Sequence, residues 1–229
     1  MSTEQPSSGP DADAFARGLA ADARSGGDPT GWFETLYRAA ESGAGVVPWD
    51  RGAPNPFLVD WTPPVPSVDA GRRALVVGCG LGDDAEYVAG LGFTTVAFDV
   101  AGSAVRACRR RYPDSAVRYR TADLFEPPVE WAAAFDLVVE SQTVQALPRS
   151  VRATATARVS AFVAAGGTLL VLAGALGPDA DRDDGPPWRL DRPEIEAFAT
   201  GGLTAVRIED LADPARPAVR RWRAEFRRD

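Results

Sequence analysis

The sequence predicts an α/β protein with a doubly wound, mostly parallel sheet. Apolar segments of strand length alternate with helical patterns between residues 74 and 173. Two of these segments, FDLVVE at 135–140 and GTLLVLA at 167–173, are almost continuously apolar, as in strands that helices cover on both faces. A glycine-rich turn, GCGLGDD, directly follows the first strand. These three observations predict a ligand-binding turn at the edge of the sheet where the strands end.

Two helices are expected before the sheet. Residues 1–10 are rich in Ser, Pro and Gly, which predicts a disordered tail. Residues 11–24 predict a helix with one side formed by Phe15, Leu19 and Ala23. A second helix is expected to begin with Asp28 as N-cap and Pro29 at its first position, and to carry an aromatic face of Trp32, Phe33, Leu36 and Tyr37.

The remaining elements follow from composition and periodicity. The prolines of 47–66 are too closely spaced for regular structure, so a loop with rigid turns is expected. The pattern then predicts strands at 74–78, 94–99, 116–120, 135–140 and 167–173, and helices near 83–91, 102–112, 149–165 and 191–199. At the C-terminal end, 203–209 and 219–226 predict an antiparallel strand pair at one edge, which brings the sheet to seven strands.

Length, composition and charge limit the range of functions. A chain of 229 residues, 45% of them hydrophobic, is long enough for one large core. A net charge of −7 disfavours nucleic acid or an anionic membrane surface as the main partner. Because no apolar run approaches the roughly 20 residues of a membrane helix and the first residues do not resemble a signal peptide, we expect a soluble, cytoplasmic protein.

Several kinds of catalysis are excluded by missing residue types. The chain contains no histidine and no lysine, so all 25 basic residues are arginine. This excludes Ser-His-Asp and Cys-His catalysis, a Schiff-base lysine, the Walker lysine and histidine-based metal sites. The two cysteines, Cys79 and Cys108, lack CxxC spacing and a partner histidine, so two reduced thiols and no metal are expected.

The glycine turn favours a ligand without phosphates. Gly78, Gly80 and Gly82 allow a ligand to approach the backbone closely, but a dinucleotide fingerprint would require a third glycine where Asp83 stands. Asp83 and Asp84 occupy the first helical turn, where a pyrophosphate would bind. At an effective dielectric near 20, like charges ~4 Å apart repel by roughly 4 kcal/mol before screening. The turn therefore suits an uncharged or positively charged ligand.

The spacing G-x-G-x-G after an apolar strand resembles the first motif of class I S-adenosylmethionine (SAM)-dependent methyltransferases. The resemblance implies a Rossmann-like sheet, with Asp99 accepting both ribose hydroxyls and Asp123 accepting the adenine amino group. It also places the Leu124 amide at the adenine ring and Glu140 at the loop facing the methionine end. The other turn and strand-end residues expected to contact SAM are Gly78, Cys79, Gly80, Gly82 and Val100.

A second resemblance lies before the sheet. The segment VPWDRGAPNPFLVDW is similar to the P-W-D-x-G-x-P-x-P-x-L segment of the thiopurine and thiol/halide methyltransferase group. It implies that Trp49 and Trp32 cover the cofactor, so that residues 11–66 form a covering segment and residues 67–229 the SAM-binding domain. The expected substrate pocket holds Tyr37, Gln145 and Trp188, the last within loop 177–189 beside the fifth strand.

These resemblances imply a SAM-dependent methyltransferase that transfers a methyl group to sulfur, oxygen, nitrogen or halide of a small molecule by in-line displacement. No catalytic residue is assigned. The sequence ESQT at 140–143 departs from the D/N-P-P-Y/F motif of many nucleic acid methyltransferases, so nucleic acid is not an expected substrate. Two alternatives stay open at this point, a Rossmann-type nucleotide-binding oxidoreductase and a non-catalytic SAM-binding protein.

Overall fold

The computed structural model describes residues 10–25, 27–61, 71–177 and 180–229. The expected disordered tail, apart from its last residue, lies outside the described residues. So do the expected boundary between covering segment and SAM-binding domain at 66–67 and two residues, 178 and 179, of loop 177–189. None of the described helices is long and apolar enough to cross a lipid bilayer.

A seven-stranded sheet forms the centre of the described structure. The strands lie in the order β3-β2-β1-β4-β5-β7-β6, with parallel pairing from β3 to β5 and antiparallel pairing of β7 with both β5 and β6. The predicted fold class is therefore confirmed. The strands are β1 (Arg73–Val77), β2 (Thr94–Asp99), β3 (Arg118–Thr121), β4 (Phe135–Ser141), β5 (Val163–Gly174), β6 (Leu203–Ala212) and β7 (Arg220–Arg228).

Helices cover both faces of this sheet. Along β1, Ala74 and Val76 contribute to one hydrophobic core while Leu75 and Val77 contribute to the other, because successive side chains of a strand point to opposite faces. The first core includes residues of α3, α4 and α5, and the second includes residues of α6 and α7. The helices are α1 (Pro10–Ser25), α2 (Gly31–Glu41), α3 (Pro56–Trp61), α4 (Asp83–Gly90), α5 (Gly102–Arg111), α6 (Arg149–Ala161) and α7 (Arg192–Glu196).

Several predicted boundaries differ from the observed ones. The strand predicted at 116–120 lies two residues later at its start, and α7 is shorter than the predicted 191–199. The largest difference is at 163–165, where the sequence predicts the end of a helix and the structure has the start of β5 at Val163. Val163 pairs with Phe135 across an irregularity in the β4–β5 register. The extra residues of such an irregularity interrupt the alternation of side chains, so the two-residue period does not predict this part of the strand.

The prediction for the start of α2 is wrong by two residues. The N-cap is Thr30, and no cap hydrogen bond comes from its own side chain. Instead Asp28 Oδ1 accepts hydrogen bonds from the backbone N–H groups of Thr30 and Gly31, at 3.0 and 2.9 Å. Asp28 thus satisfies two of the free N–H groups at the helix start from outside the helix.

Two further expectations for the N-terminal segment are corrected. The proline-rich loop contains a short helix, α3, because Pro56 occupies the first helical position, where its missing N–H costs nothing. In α1, Phe15 is 39% exposed, whereas Ala16 and Ala20 are buried against Trp32 and Leu36 of α2. The small residues face the partner helix because bulky α2 side chains fill the space between the two helices.

The second core depends on aromatic packing at the C-terminal edge. Phe226 of β7 is fully buried and lies 6.1 Å, centroid to centroid, from Phe198.

We expect Phe226→Ala to lower the free energy of unfolding by about 3–5 kcal/mol, because a large cavity replaces the ring. Val206→Ala, at a 56% exposed position on neighbouring β6, should change it by less than about 0.5 kcal/mol. Denaturant unfolding followed by circular dichroism tests both values, and equal effects would contradict this packing.

Candidate active site

A cavity of about 450 Å³ lies at the carboxyl ends of the parallel strands. Its lining extends from Asp99 at the end of β2, past the glycine turn after β1, to Gly174 at the end of β5 and Arg221 at the start of β7. Neighbouring strands are about 4.8 Å apart, so the four spacings from β2 to β7 correspond to roughly 19 Å. The cavity is therefore long enough for an extended ligand and a second molecule beside it. Such clefts at strand ends are the usual ligand sites of open α/β sheets.

The glycine turn requires glycine because other side chains already occupy the space around it. Gly78 has φ +59°, and a Cβ atom at this position would lie only 2.3 Å from Thr143 Oγ1. Gly80 has φ +56°, and its Cβ would lie 3.2 Å from the Tyr37 hydroxyl oxygen. Both backbones line the cavity. Glycine therefore lets the turn pack against Thr143 and Tyr37 while its peptide groups face the cavity, where a ligand can approach them.

Asp99 connects the end of β2 to the glycine turn. Its Oδ2 accepts a hydrogen bond from Gly80 N–H and its Oδ1 accepts one from Ala101 N–H, both at 3.0 Å. The side chain is buried and lines the cavity, and burial raises the pKa of Asp99 to about 6 despite these two hydrogen bonds. Each carboxylate oxygen has a second lone pair, so Asp99 can still accept hydrogen bonds from ligand hydroxyls.

The wall after β2 and β3 is built as the sequence predicts. Val100 follows β2, and Asp123 and Leu124 follow β3, and all three line the cavity. Asp123 Oδ1 accepts a hydrogen bond from Phe125 N–H at 2.8 Å. This bond closes a tight turn that keeps the carboxylate and the Leu124 amide at the rim of the cavity.

An aromatic cluster from the N-terminal segment covers the other side of the cavity. The Trp49 ring meets Trp32 edge to face at 6.0 Å, and Trp49 Nε1–H donates a hydrogen bond of 2.8 Å to the Tyr37 hydroxyl. Phe33 stacks on Trp32 at 4.0 Å. Burial raises the pKa of Tyr37 well above its usual value, so the phenol is neutral at physiological pH. The cluster provides a mostly apolar cover with a single hydroxyl group.

The two aspartates that follow the glycine turn hold other segments in place. Asp84 Oδ1 accepts a 2.6 Å hydrogen bond from Asn55 N–H, which ties the covering segment to α4. Asp83 Oδ1 accepts a hydrogen bond from the Tyr112 hydroxyl and lies 3.4 Å from an Arg111 nitrogen. Arg111 therefore offsets part of the negative charge that the sequence places here. Burial raises the pKa of Asp84.

Glu140 is predicted to contact the cofactor, but the structure places its side chain outside the cavity lining. The residue is fully buried, and Oε1 accepts hydrogen bonds from the backbone N–H groups of Thr143 and Val144, at 2.7 and 2.9 Å. Thr143 in turn donates a hydrogen bond from Oγ1 to the Val77 carbonyl and packs against Gly78. Glu140 thus shapes the loop that borders the glycine turn and does not itself line the cavity.

The prediction for Trp188 is also corrected. Trp188 is buried, its Nε1–H donates to the Asp183 carbonyl, and it does not line the cavity. Its neighbours Pro186, Pro187 and Arg189 do. Gln145, the other pocket residue expected in this part of the chain, lines the cavity, and its Oε1 accepts a 2.5 Å hydrogen bond from Gly174 N–H.

The structure thus brings most of the predicted site residues to one cavity, although their ligand contacts stay predictions. The predicted residues that line it are Trp32, Tyr37, Trp49, Gly78, Cys79, Gly80, Gly82, Asp99, Val100, Asp123, Leu124 and Gln145.

Sequence reasoning missed five arginines of the lining. They come from α1, from three loops and from the start of β7, and no local motif marks them. Only the sheet register and the paths of the helix and loops bring them together. They are Arg17, Arg51, Arg189, Arg216 and Arg221.

Comparison with known proteins supports a single family. The profile of the thiopurine S-methyltransferase (TPMT) family matches residues 40–227. The probable thiol methyltransferase 2 of Arabidopsis thaliana is 29% identical over 174 residues, which is 73% of each chain. Thiocyanate methyltransferase 1 of Brassica oleracea is 28% identical over 169 residues, 72% of this chain and 73% of that protein.

Solved structures share the fold at low sequence identity. The Burkholderia thailandensis 1,6-didemethyltoxoflavin-N1-methyltransferase, solved with S-adenosylhomocysteine, has a TM-score of 0.65 at 17% identity and covers 99% of this chain and 93% of its own. The N-methyltransferase NodS of Bradyrhizobium japonicum, also solved with S-adenosylhomocysteine, has a TM-score of 0.61 at 21% identity. The match covers 85% of this chain and 98% of NodS. These neighbours show that the chain shares their Rossmann-like fold.

The buried Glu140 predicts a specific pH dependence of stability. Burial raises the pKa of Glu140 to about 7, and its Oε2 has no hydrogen-bond partner among the described residues. Because the folded state then holds a proton that the unfolded state has released, stability should fall as the pH rises from about 4.5 to 7. The contribution is on the order of 3 kcal/mol.

Glu140→Gln removes this titration while keeping an oxygen for the Thr143 and Val144 amides. The variant should therefore be more stable than the unaltered protein at pH 8 and similar to it near pH 4.5. Urea unfolding at a series of pH values measures this difference. A stability difference that does not change with pH would contradict the raised pKa.

Proposed function

The chain belongs to the thiopurine S-methyltransferase family, and from this premise we propose that it methylates the sulfur atom of a small anionic acceptor. It is a SAM-dependent methyltransferase of small molecules, which the family, the thiol and thiocyanate methyltransferase relatives and the fold together support. The oxidoreductase and the non-catalytic alternatives are not favoured by these findings. A cytoplasmic location and the lack of a nucleic acid partner stay predictions.

The residues around the glycine turn suit the cofactor. In the proposed arrangement Asp99 accepts the ribose hydroxyls, Asp123 accepts the adenine amino group, and Trp49 covers the cofactor. The support for this is a buried carboxylate with free lone pairs, a turn whose Gly78 and Gly80 backbones line the cavity, and an aromatic cover. Aromatic faces attract a sulfonium by about 0.5–2 kcal/mol.

The charges of the two ends of the cavity are opposite. Carboxylates surround the glycine turn, and Arg189, Arg216 and Arg221 line the end over β5 and β7. We call this second end, with Gln145 and Gly174, the acceptor half. A cationic methyl donor is favoured on the acidic side, and an anionic acceptor is favoured on the arginine side.

No general base is present in the described part of the acceptor half. The residues that line it include no carboxylate, cysteine or histidine, and Tyr37 across the cavity is a neutral phenol that already accepts a hydrogen bond from Trp49. An alcohol or an ammonium group must lose a proton to react, whereas a thiolate or thiocyanate already carries its nucleophilic electron pair. This observation carries the assignment to a nucleophile that needs no protein base, and the thiol and thiocyanate methyltransferase relatives support sulfur as its reacting atom.

The transfer requires alignment and exclusion of water more than proton chemistry. SAM, when bound, supplies a methyl group on a sulfonium: the thiolate electron pair forms the new S–C bond, the old C–S bond breaks, and S-adenosylhomocysteine and a neutral thioether remain. Opposite charges cancel in this step, so an environment poorer in water than the solvent favours it. The cover of Trp32, Phe33 and Trp49 and the strand ends that hold both ligands supply these conditions.

The role of Asp99 can be measured directly. Asp99→Ala should weaken SAM binding by about 1.5–3 kcal/mol, the range for hydrogen bonds to a charged group. Since hydroxyl donors prefer the ionised carboxylate and its pKa is about 6, the affinity of the unaltered protein should rise between pH 5 and 7 and then level off. Asp99→Asn should remove this rise. Calorimetric titration of SAM measures the loss of affinity and its pH dependence. Asp114→Ala removes an exposed carboxylate away from the cavity and serves as the control. An unchanged affinity of the Asp99 variants would refute the ribose assignment.

The acceptor class can be measured by SAM consumption. Over a panel of thiols, thiocyanate, halides, phenols, carboxylic acids and amines, we expect turnover of the sulfur compounds. For two thiols of different acidity, the pH at which kcat/KM levels off should follow the pKa of each thiol, because the protein supplies no base. A common inflection for both thiols, or turnover of amines and phenols alone, would contradict the proposal.

A further inference from the structure

The acceptor half carries more positive charge than its own acids balance. Asp213 is bound by Arg221, with both Nε and Nη2 at 3.0 Å, and lies 3.9 Å from Arg216. Arg189 makes no hydrogen bond or ion pair with any residue that the structure describes. This excess is local, because the whole chain has a net charge of −7. Because these arginines line the cavity, this part of its wall favours an anionic group of a ligand.

Two of these arginines lie beside the same residue at the cavity wall. Gly174 faces Arg221 in the β5–β7 register, and Arg189 and Arg221 both line the cavity. A Cβ atom at Gly174 would lie 3.2 Å from Arg189 Cγ, 3.3 Å from Gln145 Oε1 and 3.5 Å from Arg221 Nη1. Asp213 binds the Nε and Nη2 atoms of Arg221, so Nη1 is the nitrogen directed to the end of β5. Glycine at this position lets both arginine side chains pack closely against the end of β5.

These arginines are too far from the glycine turn to hold the reacting atom itself. Gly174 ends β5, which lies two strands away from β1, or roughly 10 Å at the usual strand spacing. A guanidinium on the nucleophilic sulfur would also stabilise a negative charge that disappears in the transition state, and this would slow the transfer. A group of the acceptor whose negative charge does not change during methyl transfer is the better partner for these arginines.

We propose that the methyl acceptor carries a carboxylate separate from its nucleophilic sulfur, and that Arg189 and Arg221 bind this carboxylate in front of Gly174. The inference rests on the proposed sulfur methylation for the identity of the nucleophile. Guanidinium groups match carboxylates in planar, paired hydrogen bonds. Binding energy from this unreactive end would orient the sulfur toward the methyl group.

The first test compares two acceptors that differ only in charge, 3-mercaptopropionate and its methyl ester, at equal thiolate concentration. The unaltered protein should use the acid with a kcat/KM about 10–100-fold higher than the ester, mainly through KM. Arg189→Gln should reduce this ratio to within about threefold of one. Arg158→Gln makes the same charge change at an exposed position outside the cavity and should leave the ratio as it is. A ratio near one in the unaltered protein overturns the carboxylate site.

The second test does not depend on methyl transfer. The two thioether products, 3-(methylthio)propionate and its methyl ester, are titrated into the protein saturated with S-adenosylhomocysteine. The acid should bind more tightly than the ester, and this difference should be lost in Arg189→Gln and kept in Arg158→Gln. Such a result supports the carboxylate site even if no thiol is turned over. In that case only the sulfur assignment fails. Methylation of thiols with equal binding of acid and ester overturns the carboxylate site and leaves the sulfur assignment in place.

Discussion

The buried carboxylate of Asp99 is the interaction on which the geometry of the site depends. It accepts hydrogen bonds from Gly80 N–H in the glycine turn and from Ala101 N–H at the start of α5, so it joins the ends of two neighbouring strands. Burial of a carboxylate is costly unless such donors compensate it. Burial raises the pKa of Asp99 to about 6 despite its backbone hydrogen bonds, and each carboxylate oxygen has a second lone pair that can accept a further donor. The same group thus organises the turn and favours a ligand with hydroxyl groups.

The site has an acidic half and a basic half because the last strand of the chain runs in the opposite direction to the parallel strands. The parallel strands β1 and β2 end in the glycine turn and Asp99, while β7 runs antiparallel and therefore begins at the same edge with Arg221. Reversal of the last strands brings an arginine-rich segment beside the ends of the parallel strands. A cationic donor and an anionic acceptor would each meet opposite charge, which separates their binding and aligns their reacting ends.

The N-terminal segment completes the site in ways that patterns predict only in part. The aromatic face of α2 was evident from residues 32–37, and in the structure it packs around Trp49. The buried face of α1 was predicted only in part: Leu19 and Ala23 pack against α2, but Ala16 and Ala20 lie at the centre of this contact because Trp32 and Leu36 opposite them are bulky. The sequence analysis also missed α3, because a proline that ends one helix is equally suited to the first position of another. The position of this segment depends on the hydrogen bond that Asn55 N–H donates to Asp84, which is distant in the sequence.

The sequence by itself determined the sheet, the glycine turn and the acids at the strand ends, because strand periodicity, glycine spacing and charge at a turn are local properties. Only the tertiary structure decided which side chains face the cavity. It turned Glu140 toward the Thr143 and Val144 amides, which donate hydrogen bonds to its carboxylate, and it buried Trp188, whose Nε1–H donates to the Asp183 carbonyl. It also assembled Arg189 and Arg221 from distant segments in front of Gly174. Convergence of this kind depends on strand register and loop path, which no short stretch of sequence encodes.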